Sequence, residues 1–172
     1  ATYVYEREGD SWRLAAFIKA PRPYQYDNFG FWNSMSLDGL TFAVGAPSES
    51  SAVPGVQNGN FVASPTGVKS GATFVYSRAS LSSPWQLEAF LKASAVFPDV
   101  EFGNILTISS AGNALLISAT SDASNATGIS SGPRNMDYNN MNGTGAVFLF
   151  QRRNGVWQQT HYLKASNAGA GD

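Results

Sequence analysis

The chain has 172 residues, of which 43 % are hydrophobic and only 13 % are Asp, Glu, Lys or Arg, about half of the ~25 % usual in a soluble domain. That apolar content suffices for a packed core, while a formal net charge of -1 supplies no field to draw nucleic acid or an anionic membrane surface. With no cysteine, disulfides, thiolate metal sites and thiol nucleophiles are excluded, and no apolar run approaches the ~18 residues of a membrane span, so membrane insertion is not expected.

Short runs rich in aromatic and β-branched residues, bounded by Gly, Asn, Asp and Pro, predict strands. In chain order these are TYVYE from Thr2, WRLAAFIKA from Trp12, WNSMS from Trp32, TFAVGA from Thr41, TFVYS from Thr73 and WQLEAFLKA from Trp85. ILTIS from Ile105, ALLISA from Ala114, VFLFQ from Val147 and WQQTHYLKA from Trp157 complete the set. Asn154-Gly155 joins the last pair with two residues that accept φ > 0, as a tight type I′ turn requires. Asp38-Gly39 and Gly112-Asn113 join the two middle pairs. No long stretch keeps the ~3.6-residue apolar period of a helix. The reading is all-β.

The runs repeat. Trp12, Trp85 and Trp157 are 73 and then 72 residues apart, and Lys19-Ala20, Lys92-Ala93 and Lys164-Ala165 form a second column. Phe29-Gly30 returns as Phe102-Gly103, and Gly45-Ala46-Pro47 as Ser118-Ala119-Thr120, each 73 residues on. A fixed period of this size predicts stacked units: repeat 1 over 1–71, repeat 2 over 72–145 and a partial repeat 3 over 146–172. The first strand of each unit is apolar on both faces, since Tyr3, Val4 and Tyr5 correspond to Phe74, Val75 and Tyr76 and to Phe148, Leu149 and Phe150. Such a strand needs cover from both sides. Four-stranded antiparallel sheets stacked face to face, the blades of a β-propeller, provide that cover without helices. A parallel β-solenoid, with far shorter rungs, fits the period less well.

DNFGFWNSMSLDGLTFAVGAP from Asp27, with GATFVYSR and WQLEAFLKAS, resembles the FG-GAP repeat of the integrin α-chain head in its bacterial extracellular form, over essentially the whole chain. The resemblance implies a propeller, usually of about seven blades, used outside the cell or at its surface in adhesion or ligand binding. In the metal-binding members it also implies a DxDxDG-type loop between Phe-Gly and Gly-Ala-Pro. That interval here holds one acid, Asp38, replaced by Ala111 in the next repeat, and Ca²⁺ gathers about six to eight oxygen ligands. The family's calcium site is therefore not carried over, and no cofactor is expected. Repeat 2 departs further, with Val100 in the column of Asp27.

Both ends fall inside the repeat. The next Phe-Gly is due at position 174, and the glycine that precedes Ala72 and Ala146 has no counterpart before Ala1. Five hairpins make about two and a half blades, whereas a closed ring takes roughly 4 to 8. The expectation is a segment of a larger or multi-chain propeller, whose partners are further blades of the same chain or other subunits.

Glu49 and Asp122 share a column just after the fourth strand of each unit. A turn or cap duty is the favoured reading and a weak cation contact the other, with no metal site proper. His161 stands where the other copies have Ala16 and Ala89, and no G-x-S-x-G elbow supplies a nucleophile for it. No catalytic residue is assigned, and an enzyme is not expected. Trp12, Trp85 and Trp157, with Phe29, Gly30, Gly45, Ala46, Pro47, Phe102 and Gly103, are read as structural residues that define the repeat, the tryptophans packing between units. The segments 48–71 and 121–145, about 24 residues each, carry the greatest binding potential because long loops in repeat folds gather on one face. Gln57, Asn58, Asn60, Tyr138, Asn139 and Asn140 are the candidates for contact with a protein or glycan. Asn125-Ala126-Thr127 and Asn142-Gly143-Thr144 fit the N-glycosylation sequon. The expected role is a non-enzymatic extracellular or cell-surface repeat module for adhesion, ligand binding or surface assembly, with a carbohydrate-binding, lectin-like propeller as the alternative.

Overall fold

The computed structural model describes residues 1–59, 61, 68–133, 143–169 and 171, and every regular element among them is a β-strand. No helix among the described residues is long and apolar enough to cross a membrane. In chain order the strands are β1 (Thr2–Glu8), β2 (Ser11–Ile18), β3 (Asn33–Met35), β4 (Thr41–Ala46), β5 (Val56–Asn58) and β6 (Ala72–Ser77). They continue with β7 (Gln86–Leu91), β8 (Phe102–Ile108), β9 (Ala114–Ala119), β10 (Ile129–Ser131), β11 (Ala146–Arg153) and β12 (Val156–Leu163).

β1 and β2 form a two-stranded hairpin. The rest make two five-stranded antiparallel sheets, ordered β3-β4-β6-β7-β5 and β8-β9-β11-β12-β10. Each sheet joins strands from two sequence repeats: β3 and β4 lie before residue 72, β6 and β7 after it. The fifth strand corrects the four-stranded expectation. β5 and β10 come from segments read as loops, and each pairs with the outer strand of its sheet, placing Val56 against Leu91 and Ile129 against Leu163. Three residues are too short to show a period, so the strand signal was lost among the surrounding Gly and Ser.

The repeat extends to backbone irregularities. All three long hairpins carry a register shift in one column, between Val4 and Tyr5, between Val75 and Tyr76, and between Leu149 and Phe150. Left-handed backbone recurs too. Tyr26 and Asn28 have φ of 71° and 58°, and Asp99 and Glu101, 73 residues on, both have 56°. These positions lie in the corners that deliver Phe29-Gly30 and Phe102-Gly103. The Asn154-Gly155 turn has φ of 51° and 76°, as its residues predict.

Alternation along β4, β6 and β7 divides the middle sheet between two cores. Phe42, Val44, Ala46, Phe74, Tyr76 and Phe90 pack with Val4 and Ile18 of the β1–β2 hairpin. Ala43, Val75, Ala89 and Leu91 point the other way, into a core with Phe102, Leu115, Ile117, Phe148, Phe150 and Trp157. A strand apolar on both faces is thus covered on both faces, and the molecule is three layers with the β3–β7 sheet in the middle. The seam rule is constant. The two aromatic residues of β6 face the preceding layer and its central valine faces the following one; on β11 Phe148 and Phe150 likewise face the preceding layer, and Leu149, on the other face, is half-buried.

Close backbone approach explains the glycines of the motif. A Cβ on Gly45 would overlap the carbonyl oxygen of Gly103, and a Cβ on Gly103, where φ is 89°, would overlap that of Ala72. Ser118, in the column of Gly45, lies on the outer side of the last sheet, where its Oγ accepts a hydrogen bond from the Ile105 N–H at 3.0 Å.

Candidate functional site

The column of acids after β4 and β9 meets the column of lysines after β7 and β12. Lys92 Nζ lies 2.7 Å from Glu49 Oε2 with both side chains almost wholly buried. Lys164 Nζ lies 2.9 Å from Asp122 Oδ1 with both fully buried. Each carboxylate also organises its turn. Glu49 accepts from the Ser51 N–H at 3.0 Å and the Ser51 hydroxyl at 2.9 Å, while Asp122 accepts from the Ser124 N–H at 3.0 Å and the Tyr162 hydroxyl at 2.9 Å. Lys164 also donates to Thr144 Oγ1. Glu49 and Asp122 therefore hold the turns, as one expectation had it, and the cation each of them meets is an ammonium of the chain itself. The signal for the pairing was in the sequence: acid and lysine recur with one period, at separations of 43 and 42 residues.

Burial of this cluster is visible in its protonation. Desolvation pushes Lys92 below its ordinary value, partly offset by Glu49 and then by Asp27. Asp27, also buried, is pushed up by desolvation; the Tyr24 N–H, which donates to its carboxylate at 3.1 Å, works against that shift. The third lysine of the column behaves differently. Lys19 is exposed, and among the described residues it has no carboxylate partner. Its Nζ rests 5.6 Å from the centroid of the Phe17 ring, much as Lys92 Nζ rests 5.9 Å from that of Phe90.

A second recurring group clamps the layers together. Arg152 Nη1 donates to both oxygens of Glu88 at 3.0 and 2.9 Å, and the Trp157 indole N–H donates to the same carboxylate at 3.1 Å. One layer earlier, Arg78 Nη1 donates to Glu6 Oε1 at 2.8 Å, and its guanidinium lies 4.5 Å from the Trp85 ring centroid. The Arg78 hydrogen bond is the largest influence holding the Glu6 carboxyl below its usual range. Arg7 and Trp12 occupy the same columns in the first hairpin. Arg7 stays within its own turn, donating from Nε to the Gly9 carbonyl at 2.8 Å and lying 3.7 Å from Asp10, and Trp12 is 67 % exposed against 1 % for Trp157.

The other sequence candidates divide. Gln57 and Asn58 lie on β5, and the Asn58 side chain is taken up between layers, donating to the Trp157 carbonyl at 3.2 Å and accepting from the Trp157 N–H at 2.9 Å. Asn60, Tyr138, Asn139, Asn140 and the sequon residue Asn142 lie outside the described residues. Asn125 is exposed. His161 is half-buried on β12 opposite Leu149, its Nδ1 3.2 Å from Thr160 Oγ1. Among the described residues no group of three or more His, Asp or Glu side chains converges to hold a metal ion. The sequence assigned no binding role to the segment 21–32, yet Tyr24 and Tyr26 are exposed and, with Lys19, Asp27 and Asn28, line a cleft of about 340 Å³. No protein-family model and no curated protein matches the chain.

Proposed function

We propose that the chain is a run of blades from an FG-GAP-type β-propeller, acting outside the cell or at its surface as a non-enzymatic repeat module for adhesion, ligand binding or surface assembly. One observation carries the reading: three quasi-identical hairpins stack so that the aromatic face of each later one meets the aliphatic face of the one before, with the same Arg–Trp column across each seam and the same Lys–acid column within each five-stranded sheet. Stacked sheets of this kind present turns and corner segments on their rims and keep strands for packing. Such a surface suits recognition, where adaptable polar and aromatic contacts matter more than an activated nucleophile.

A carbohydrate-binding propeller is the second reading, and the exposed Tyr24 and Tyr26 beside Asp27 and Asn28 favour it, since aromatic faces flanked by hydrogen-bonding groups suit sugar rings. A glycan array probed with wild-type protein and with Tyr26→Ala separates the two. Binding that disappears in the variant selects the lectin. Concentration-dependent light scattering or capture of a surface protein, with no glycan signal, selects the scaffold. Hydrolase activity abolished by His161→Ala would remove both.

A further inference from the structure

We propose that the free edge of β1 is a strand-acceptor site, and that its occupant is a β-hairpin of the β3–β4 kind, with a close-packing glycine in its second strand and, three residues beyond the end of that strand, an acid that pairs with Lys19. The inference rests on the stacked-repeat reading and names the partner that reading leaves open.

The edge argument comes from equivalence. β6 and β11 are each covered along this edge, by β4 in the register Phe42–Tyr76 and Val44–Phe74, and by β9 in the register Leu115–Phe150 and Ile117–Phe148. β1 carries the same columns but, among the described residues, pairs with β2 alone. Its Tyr3 and Tyr5 are 56 % and 54 % exposed, whereas Phe74, Tyr76, Phe148 and Phe150 are buried. A bare strand edge of this kind accepts an added strand through backbone hydrogen bonds. Space for it exists. A cleft of about 440 Å³ lies between β1 and the residues Asn33, Ser34, Met35 and Phe42. At the next seam, β4 packs against β8 in the corresponding place.

Charge and shape narrow the occupant. The acid falls three residues after the last strand residue in both complete sheets, Ala46 to Glu49 and Ala119 to Asp122, and in both it is buried on the lysine of the column. Lys19 is the only member of that column without an acid among the described residues, yet its ammonium is already placed by Phe17 as that of Lys92 is by Phe90. Gly45 passes so close to the Gly103 carbonyl that a side chain is excluded. Gly30 is set against Ala1 as Gly103 is against Ala72, so the incoming strand meets the same restriction and must carry glycine there. β9, with Ser118, does not fit. The chain's own β3–β4 hairpin is already built into the middle sheet, so the occupant comes from another unit of the repeat.

The test adds a synthetic peptide spanning 33–51 to the 172-residue chain and follows binding by fluorescence anisotropy and amide exchange. Saturable binding with slowed exchange in β1 is expected, weakened at least ~10-fold by Glu49→Gln in the peptide or Lys19→Met in the protein, because either leaves a charge unpaired. Glu49→Asp in the peptide should retain most binding, as Asp122 serves the second sheet, and Gly45→Ser should abolish it. Should the free peptide not bind, the same segment fused before Ala1 through a Gly/Ser linker decides: a raised unfolding midpoint that Lys19→Met cancels supports the site. No rise, or a rise indifferent to both Lys19 and Gly45, overturns it. Light scattering and glycan binding of the unfused chain are read separately, so loss of the edge site leaves the scaffold reading standing, and the reverse.

Discussion

The first and last long hairpins have nearly the same residues and opposite surroundings. Trp12 is exposed and Trp157 buried; Tyr5 is exposed and Phe150 buried; Lys19 stands in solvent while Lys164 is sealed against Asp122. The β6–β7 hairpin, between two layers, resembles the last one more than the first. Burial in this molecule is therefore a property of the seam and not of the strand. A hairpin gains its core and its tryptophan partner only when another layer lies over the correct face, and its lysine–acid pair only when the hairpin of the preceding repeat joins its own sheet.

The largest expected contrast is in the lysine column. Lys92→Ala leaves Glu49 buried and uncompensated and should cost ~3–5 kcal/mol, whereas Lys19→Ala, at an exposed position, should stay within ~0.5 kcal/mol; urea unfolding midpoints measure both. Equal effects would mean that Lys19 already has a buried partner. Replacing tryptophan sharpens the same point. Trp157→Ala empties a packed site and releases Glu88 from its indole donor, an expected loss of ~3–5 kcal/mol, while Trp12→Ala should leave thermal unfolding nearly unchanged.

Overpacking comes next. Gly45→Ala must push the last sheet away from the middle one and should cost ~1–3 kcal/mol, but Ser118→Ala, in the same column on an uncovered face, should cost under ~1 kcal/mol through its single hydrogen bond. Differential scanning calorimetry on the pair checks the assignment of seam and surface. The smallest effect is a gain. Burial raises the carboxyl of Asp27, so the folded state binds its proton more tightly than the unfolded chain does. Its ionisation therefore removes stability as pH rises from the unfolded-state value of 3.8 through the folded one. Asp27→Asn, which keeps an acceptor for the Tyr24 N–H, should be more stable than wild type at neutral pH and equal to it in acid below that window. A variant less stable at neutral pH would mean that the attraction to Lys92 outweighs the desolvation.

Much of this arrangement was legible in the residues. Aromatic and β-branched runs announced nearly every long strand, and the Asn154-Gly155 turn announced its own backbone. The pairing of Glu49 with Lys92 was legible in principle, because two columns of opposite charge recurred with one period, but the two columns were not connected. β5 and β10 were not legible at three residues each. The left-handed corners at Tyr26 and Asn28 were hidden for another reason. Neither residue is glycine: Asn28 has a side chain that tolerates this region, whereas Tyr26 does not, and its corner is fixed beside the packing of Phe29-Gly30 onto the preceding layer.

Local pattern and repeat period determined, from the sequence alone, that the chain is all-β, that its strands come as recurring hairpins, and that the first strand of each unit is apolar on both faces. The tertiary structure alone decided which hairpins share a sheet, where the fifth strands attach, and which copies of a shared column are buried. The physical reason is that hydrogen-bonding pattern and side-chain alternation are written over a few neighbouring residues, whereas desolvation, ion pairing and close backbone approach depend on groups some 40 to 70 positions away that only strand pairing between repeats and the stacking of layers bring together.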